Sequence, residues 1–558
     1  MSSSLYISRE KASHPCSAAL VEYCAAMRLA RIEWSNYRRI PDGSITIRQH
    51  LVLVGPNDAG KSSLLRALHL CLGSQSGQLS SALRERDFTD PGEPLKLSVT
   101  LKDLELHERV AFPDEIDLGP PESLRIQVEA TITPGDPDSL AVSRTLPGAG
   151  RPKGLSRLQL QTIHWAFVSA TRSLIRELGP GGGSALQTLL AEIDIGEDRT
   201  TIADALSSLQ TTLDASGSLR SLRVSLADAL TATLPRDVDA DDLHFKSEND
   251  LDGTLLRGIT ITMAEGSEEA PLSDQSDGVR SLALLAVLGA SQQAVSILGI
   301  DEPEIHLHAH AQRSLGRALL EGSAQLCIAT HSSSLVGVCD PLDIVVMSSE
   351  RRVGQLPTTN VVANAADISR HWSSRLLDPL TSRKVVLVEG PADRVILQGV
   401  AQAEGMRTDR GGLAIFEMDG VGFFATAYAF FGPGGFGLPI VGVVDEDARV
   451  EAAQIVGVAP ASLEGAGIYV CRQDLEEYYV SRLGVPRVLA LLAPDGMEEP
   501  SIRRATSTPS PSPITQSALA QFCRHKKRKV RCALAIALGM TASDSALMPE
   551  LAALLVSP

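Results

Sequence analysis

The sequence has no run approaching the roughly 20 apolar residues that a membrane-spanning helix needs, and its first residues lack a basic-then-apolar secretory pattern. The chain reads as cytoplasmic, with no membrane partner. Paired cysteines are also missing. Cys16, Cys24, Cys71, Cys327, Cys339, Cys471, Cys523 and Cys532 are scattered, with no Cys-x-x-Cys and no histidine at zinc spacing, so reduced thiols are expected. Positive charge is short as well. Lys and Arg number 51 against 67 Asp and Glu, a formal net charge of -16, which argues against coating a polyphosphate by bulk electrostatics. Any nucleic acid is expected on local patches or through bound metal.

What is present is ordinary in bulk: 558 residues, 44% hydrophobic and 21% charged, enough for several cores and roughly three or four domains. No pattern marks residues 1–26, whereas Met27 opens an alternating run to Trp34, and Met27 is the expected native start. Alternation at 95–101 and 125–132 predicts half-exposed antiparallel strands. A Gly-rich break at 179–183 precedes helical spacing that includes Leu189, Leu206, Leu226 and Leu230, predicting a helical insertion over about 180–250, a candidate dimerisation element. Buried strands at 296–301, 325–330 and 343–348 alternate with helices, which predicts a parallel α/β sheet within a domain spanning 27–375. A second α/β domain is expected over 382–498, a Pro/Ser-rich linker over 499–516 and a helical segment over 517–558.

The apolar strand ending at Val54 runs into Gly55-Pro-Asn57-Asp-Ala-Gly60-Lys61-Ser62-Ser63 and then a helix, the context a phosphate-binding P-loop requires. Backbone N–H groups there cradle phosphates, Lys61 is expected on the β- and γ-phosphates, and Ser62 on Mg²⁺. A second strand ends in Asp301-Glu302-Pro303-Glu304, putting Asp301 in position to support Mg²⁺ and Glu302 to orient or deprotonate water. A third delivers His331 to the same edge, as a sensor of the γ-phosphate. Ser276, before another helix, is expected to face a nucleotide held by a second subunit. Asp87 is either a metal-contacting residue or part of a surface turn.

Further on, Val388 leads into Glu389-Gly-Pro-Ala-Asp393, and the strand ending at Val444 leads into Asp445-Glu-Asp447. Clustered acids repel unless a cation sits among them, so Mg²⁺ or Mn²⁺ is the natural occupant. Asp393 lies one helical turn after Glu389, and Asp474 with Glu476 offers a second cation site. With two ions roughly 4 Å apart, one activates water and the other stabilises the leaving oxygen. In the basic segment 525–531, Lys529 is the first choice, over Lys526 or Lys527, for neutralising charge on the phosphate, and a solvated basic helix start or a DNA-backbone patch is the other reading of this segment.

The first constellation resembles the ABC-type ATPases, which implies ATP and a dimer of two heads. The second resembles the Toprim domain. Their succession, without a long coiled coil between them, resembles the overcoming-lysogenization-defect (OLD) family of nucleases. The resemblance implies an α/β protein in which an ABC-type P-loop ATPase head with a helical insertion precedes a Rossmann-like Toprim domain and a short helical C-terminal region. It further implies ATP hydrolysis, one Mg²⁺ with ATP, two ions at the Toprim site, and DNA cutting in phage defence or repair. Lys61, Asp301, Glu302, Glu389, Asp445 and Asp447 match the motifs best; Asp393 replaces what is often Glu. RNA as substrate, a partner protein and a non-cutting SMC-like clamp remain open alternatives.

Overall fold

The structure, a computed structural model, describes residues 27–556 except 75, 149–151, 169–207, 209–210, 234–236, 248–258, 266–267, 272–273, 277, 280–281, 284–295, 306, 358–371, 373–374 and 408–411. The expected start at Met27 turns on residues 1–26, and the first part of the expected insertion lies at 180–207; both stretches are outside the described residues.

Alternating side chains build the first layer. Along Ser123–Thr133 every second residue from Leu124 to Ile132 is buried, as a strand with one solvated face requires. It lies in an antiparallel sheet of order Gly43–Thr46, Arg28–Ser35, Leu95–Lys102, Ser123–Thr133, Asp136–Leu146 and Lys153–Gly154. The P-loop strand Leu51–Val54 belongs to another sheet, ordered Val353–Gln355, Ile344–Met347, Leu51–Val54, Gln325–Thr330, Ile297–Asp301 and Trp165–Val168. Its strands are parallel except the edge Val353–Gln355. The four central strands are buried along their whole length, which is why they read as continuous apolar runs. Helix Lys61–Leu72 packs against both sheets through Leu64, Leu65, Leu68 and Cys71.

The end of the expected insertion differs. Helix Gly217–Thr233 buries Leu226 and Leu230, but Leu243–Ser247 is a strand paired antiparallel with Ile259–Glu265. Its helix-like neighbours hid a pairing partner that lies beyond residue 250.

The second parallel sheet runs Leu413–Glu417, Lys384–Val388, Ile440–Asp445 and Ile468–Cys471. It shares a core with the first: Val52, Val54, Ile344 and Val346 lie in one buried cluster with Trp372, Leu376, Leu380, Val385, Leu387, Phe416 and Val444. At the rim of this contact a Cβ on Gly354 would fall 2.2 Å from the Phe436 carbonyl oxygen, so backbone meets backbone. In the turn before that strand, Arg351 Nη2 donates to Asp58 Oδ2 of the P-loop at 2.8 Å.

The opposite face of the second sheet is covered by helix Pro391–Ala403 and by the C-terminal helices, through Val386, Val388, Ile396, Val400, Leu519, Ile536 and Leu551. Gly399 permits a close approach: its Cβ would lie 2.7 Å from Ala537 Cα, which brings Lys529–Gly539 tightly onto Pro391–Ala403. The expected linker is not one. Residues Glu499–Thr506 form a helix, and Ile502 and Ile514 are buried in the same core. Pro500 sits in the helix's first turn, where its ring is tolerated, so proline content misled the sequence reading. Cys71, Cys327, Cys339, Cys471, Cys523 and Cys532 are free and buried. Among the described residues no helix is long and apolar enough to cross a membrane.

Ile502→Ala is expected to lower stability by about 2–4 kcal/mol, the range for truncating a buried aliphatic side chain. Urea unfolding followed by circular dichroism measures it, and an unchanged midpoint would restore the linker.

Candidate functional site

Parallel strands order two groups of polar side chains at their carboxyl ends. In the first sheet, Gly55, Asp301 and His331 follow three adjacent strands. Gly60, at φ 106°, turns the chain into the helix without a Cβ penalty. Ser62 Oγ donates to Asp301 Oδ1 at 3.0 Å, joining the P-loop to the acidic strand end. Lys61 Nζ folds back on the Gly55 and Pro56 carbonyl oxygens at 2.9 and 3.0 Å. Burial pushes its pKa down to about 8, against the pull of Glu302, Asp301 and Glu304. An ammonium so desolvated is completed by an anion, and phosphate is the anion that fits a P-loop.

Glu302 takes a left-handed backbone, φ 50°, and its N–H donates to Ala329 O at 2.9 Å. Glu304 is half-buried and accepts the His331 N–H, so it positions the strand end carrying His331. The sequence reading gave Glu304 no role; only its place two residues after Glu302 hinted at one. Burial and then Lys61 lower the His331 pKa, which favours a neutral imidazole. Asn57 is exposed and Ser63 half-buried, the latter accepting from Arg38 Nη1 at 2.7 Å. Ser276 is exposed, with its Oγ 3.5 Å from the Val279 N–H donor.

Asp87 is corrected on both counts. It is 1% exposed and binds Arg38 at 2.9 Å and Arg66 at 2.8 Å, while its other oxygen accepts the Arg84 N–H at 3.1 Å. Its oxygens are taken, and it holds the P-loop helix to the loop before it.

In the second sheet, Glu389, Asp445 and Asp474 follow three adjacent strands. Burial first, and then the like charges of Glu389, Asp393 and Asp474, raise the Asp445 pKa to about 7, with Lys529 opposing them. Asp393 is buried, its Oδ2 accepting the Gly390 N–H at 2.9 Å; burial raises its pKa and Lys529 counters. Glu476 is 1% exposed, with Oε1 3.5 Å from Lys529 Nζ and Oε2 buried without a hydrogen-bond partner. Burial disfavours the Lys529 ammonium, but Glu476, Asp393, Glu389 and Asp445 outweigh it and leave the pKa raised.

Two expected ligands stand apart. Asp447 is exposed in the turn Glu446–Ala448, and Asp474 caps helix Leu475–Leu483, with Oδ1 accepting the Glu477 N–H at 2.8 Å and Oδ2 paired with Arg524. The expected cage of Glu389, Asp445 and Asp447 is therefore not assembled: among the described residues no three His, Cys, Asp or Glu side chains gather closely enough to hold an ion. The donor chemistry nonetheless fits a hard divalent cation. Glu389, Asp393 and Asp445 are oxygen donors that repel one another, and Glu476 Oε2 is a buried oxygen lacking a partner.

An AAA domain model matches residues 197–337, and the Overcoming lysogenization defect protein-like TOPRIM domain matches residues 380–447; a family of unknown function matches 27–97. The chain is 23% identical over 398 residues to the OLD nuclease of Thermus scotoductus, covering 66% of this chain and 72% of that protein. It is 24% identical over 443 residues to the Old nuclease of Escherichia phage P2, covering 71% and 73%. Over most of its length the chain is thus similar to OLD nucleases. A shorter match, 27% over 135 residues, is to Endonuclease GajA of Bacillus cereus, covering 24% of this chain and 23% of that protein. This chain's ATPase and Toprim domains imply use of nucleotide and divalent metal.

Asp87→Ala leaves two guanidinium groups without their carboxylate and is expected to cost about 1–3 kcal/mol, partial solvent exposure of both arginines keeping the loss moderate. Thermal melting checks it. The loss should be equal with EDTA and with Mg²⁺; a loss confined to Mg²⁺ would restore the metal-contacting role.

Proposed function

We propose that this protein is an ATP-regulated, divalent-metal-dependent DNA endonuclease or nickase whose cutting site is the acidic cluster around Lys529. The observation that carries the reading is the electrostatic coupling of Asp445 to Glu389 and Asp393, from neighbouring elements at one carboxyl edge, with a lysine opposing them. Nothing in a plain structural core calls for this combination. The names of the relatives, OLD nuclease and Endonuclease GajA, support it.

Mg²⁺ or Mn²⁺ would be held by Glu389 and Asp445, with Asp393 and Glu476 offering oxygens to a second ion; such ions supply an activated water and stabilise the leaving oxygen. Asp447 and Asp474 would join only after the turn at Glu446–Ala448 rotates and Arg524 releases its partner. Lys529 neutralises charge that builds on the phosphoryl oxygens. In the ATPase half, Lys61 leaves the loop carbonyls to bind phosphate, Ser62 and Asp301 hold one Mg²⁺, Glu302 orients water and His331 faces the γ-phosphate. Gly55, Asn57, Gly60 and Ser63 line the phosphate loop. Ser276 completes a nucleotide site on a second copy, so the proposed assembly is a homodimer or larger homo-oligomer, cytoplasmic, acting in phage defence or DNA repair.

One observation favours a second reading, an ATP-driven clamp that holds nucleic acid without cutting: no three carboxylates among the described residues are gathered for an ion. A plasmid assay with Mg²⁺ or Mn²⁺, with and without ATP, separates the two. Nicking is expected, lowered about 100-fold or more by Asp445→Ala and by Lys529→Ala. No cutting under any metal or nucleotide would leave the clamp.

A further inference from the structure

Six of the eight residues from 524 to 531 are Lys or Arg and none is acidic, in a chain whose net charge is -16. The structure sorts them. Arg524 pairs with Asp474, Lys529 with Glu476 and Arg531 with Asp495, while Arg528 lies 4.1 Å from the centre of the Phe522 ring. Lys526 and Lys527 are different. Both are exposed in the turn between helices Gln516–Arg524 and Lys529–Gly539, and neither makes an ion pair among the described residues. The turn is held in shape by the Lys527 N–H donating to His525 Nδ1 at 3.3 Å and by the Lys529 N–H donating to His525 O at 2.9 Å.

We propose that Lys526 and Lys527 form a clamp for the phosphodiester backbone of a polynucleotide, on the flank of the acidic cluster. The inference rests on the nuclease reading and assigns to it the element that overcomes the cluster's repulsion of a polyanion. Three residues of chain separate Lys526 from Lys529, at most about 10 Å. Phosphates of one strand rise about 3.4 Å apart along a duplex, so a strand with one phosphate at Lys529 carries others past Lys526 and Lys527. Lysine serves here as a point charge that reads no base, so the contact is sequence-independent. The source of the backbone, duplex DNA or single-stranded RNA, is left to the arms of the test.

The test is fluorescence anisotropy of the full-length protein with a labelled DNA duplex and a labelled single-stranded RNA, in EDTA so that nothing is cut, over a salt series. For the double variant Lys526→Ala/Lys527→Ala, the slope of log affinity against log salt should become shallower by about 1.8 on the duplex, or about 1.4 on the single strand. Between about 50 and 200 mM salt the duplex deficit of the variant should shrink roughly tenfold. The double variant Lys526→Arg/Lys527→Arg should keep the wild-type slope, and all proteins should melt alike because both side chains are exposed. A wild-type protein that cuts plasmid while the alanine variant binds with unchanged affinity and slope overturns the clamp and leaves the nuclease standing. A wild-type protein that neither binds nor cuts overturns both.

Discussion

Two buried carboxylates, Glu476 and Asp393, and two half-buried ones, Glu389 and Asp445, act on a single positive charge, the ammonium of Lys529. Much of the C-terminal architecture follows from getting it there. The helix Lys529–Gly539 must lie flat on Pro391–Ala403, and it does so because position 399 has no side chain to hold Ala537 away. The last helices close over the same apolar face, so the segment that ends the described chain is part of the second sheet's core and not an appendage to it.

The phosphate end of the molecule is governed by the opposite imbalance. Lys61 is a desolvated cation resting on carbonyl oxygens, which are partial substitutes for the anion that a P-loop is shaped to take. The acids that favour its charge, Glu302, Asp301 and Glu304, lie at the end of strand Ile297–Asp301, with Gln325–Thr330 between that strand and the one that bears the phosphate loop. One half of the protein thus offers a cation in search of phosphate, and the other a set of oxygens in search of metal.

Features written in consecutive residues were legible. The loop from Gly55 to Ser63, the acids at 301 and 302, and the strand ends at 389 and 445 each announce themselves within a few positions, because strand, turn and helix impose their own local spacing. Features made by distant residues were not. Asp474 is engaged by Arg524, fifty positions away, and Asp87 by Arg38 and Arg66; no local pattern records either pairing. Asp447 shares a tripeptide with Asp445, yet the turn that follows the strand leaves it in solvent. The edge strands Trp165–Val168 and Val353–Gln355 are too short to establish a period, and they owe their conformation to the neighbours that hydrogen-bond to them.

The core shared by the two parallel sheets has a mechanical consequence. Close-packed side chains interlock, so surfaces joined through Val54, Val346, Leu387 and Phe416 do not slide past one another by small degrees. With Gly354 already against the Phe436 carbonyl, the rim of this contact has no slack in compression either. A tilt imposed on the strand that bears the phosphate loop is therefore inherited by the strand that bears Asp445, and the two ends of the molecule turn together as parts of one stiff body.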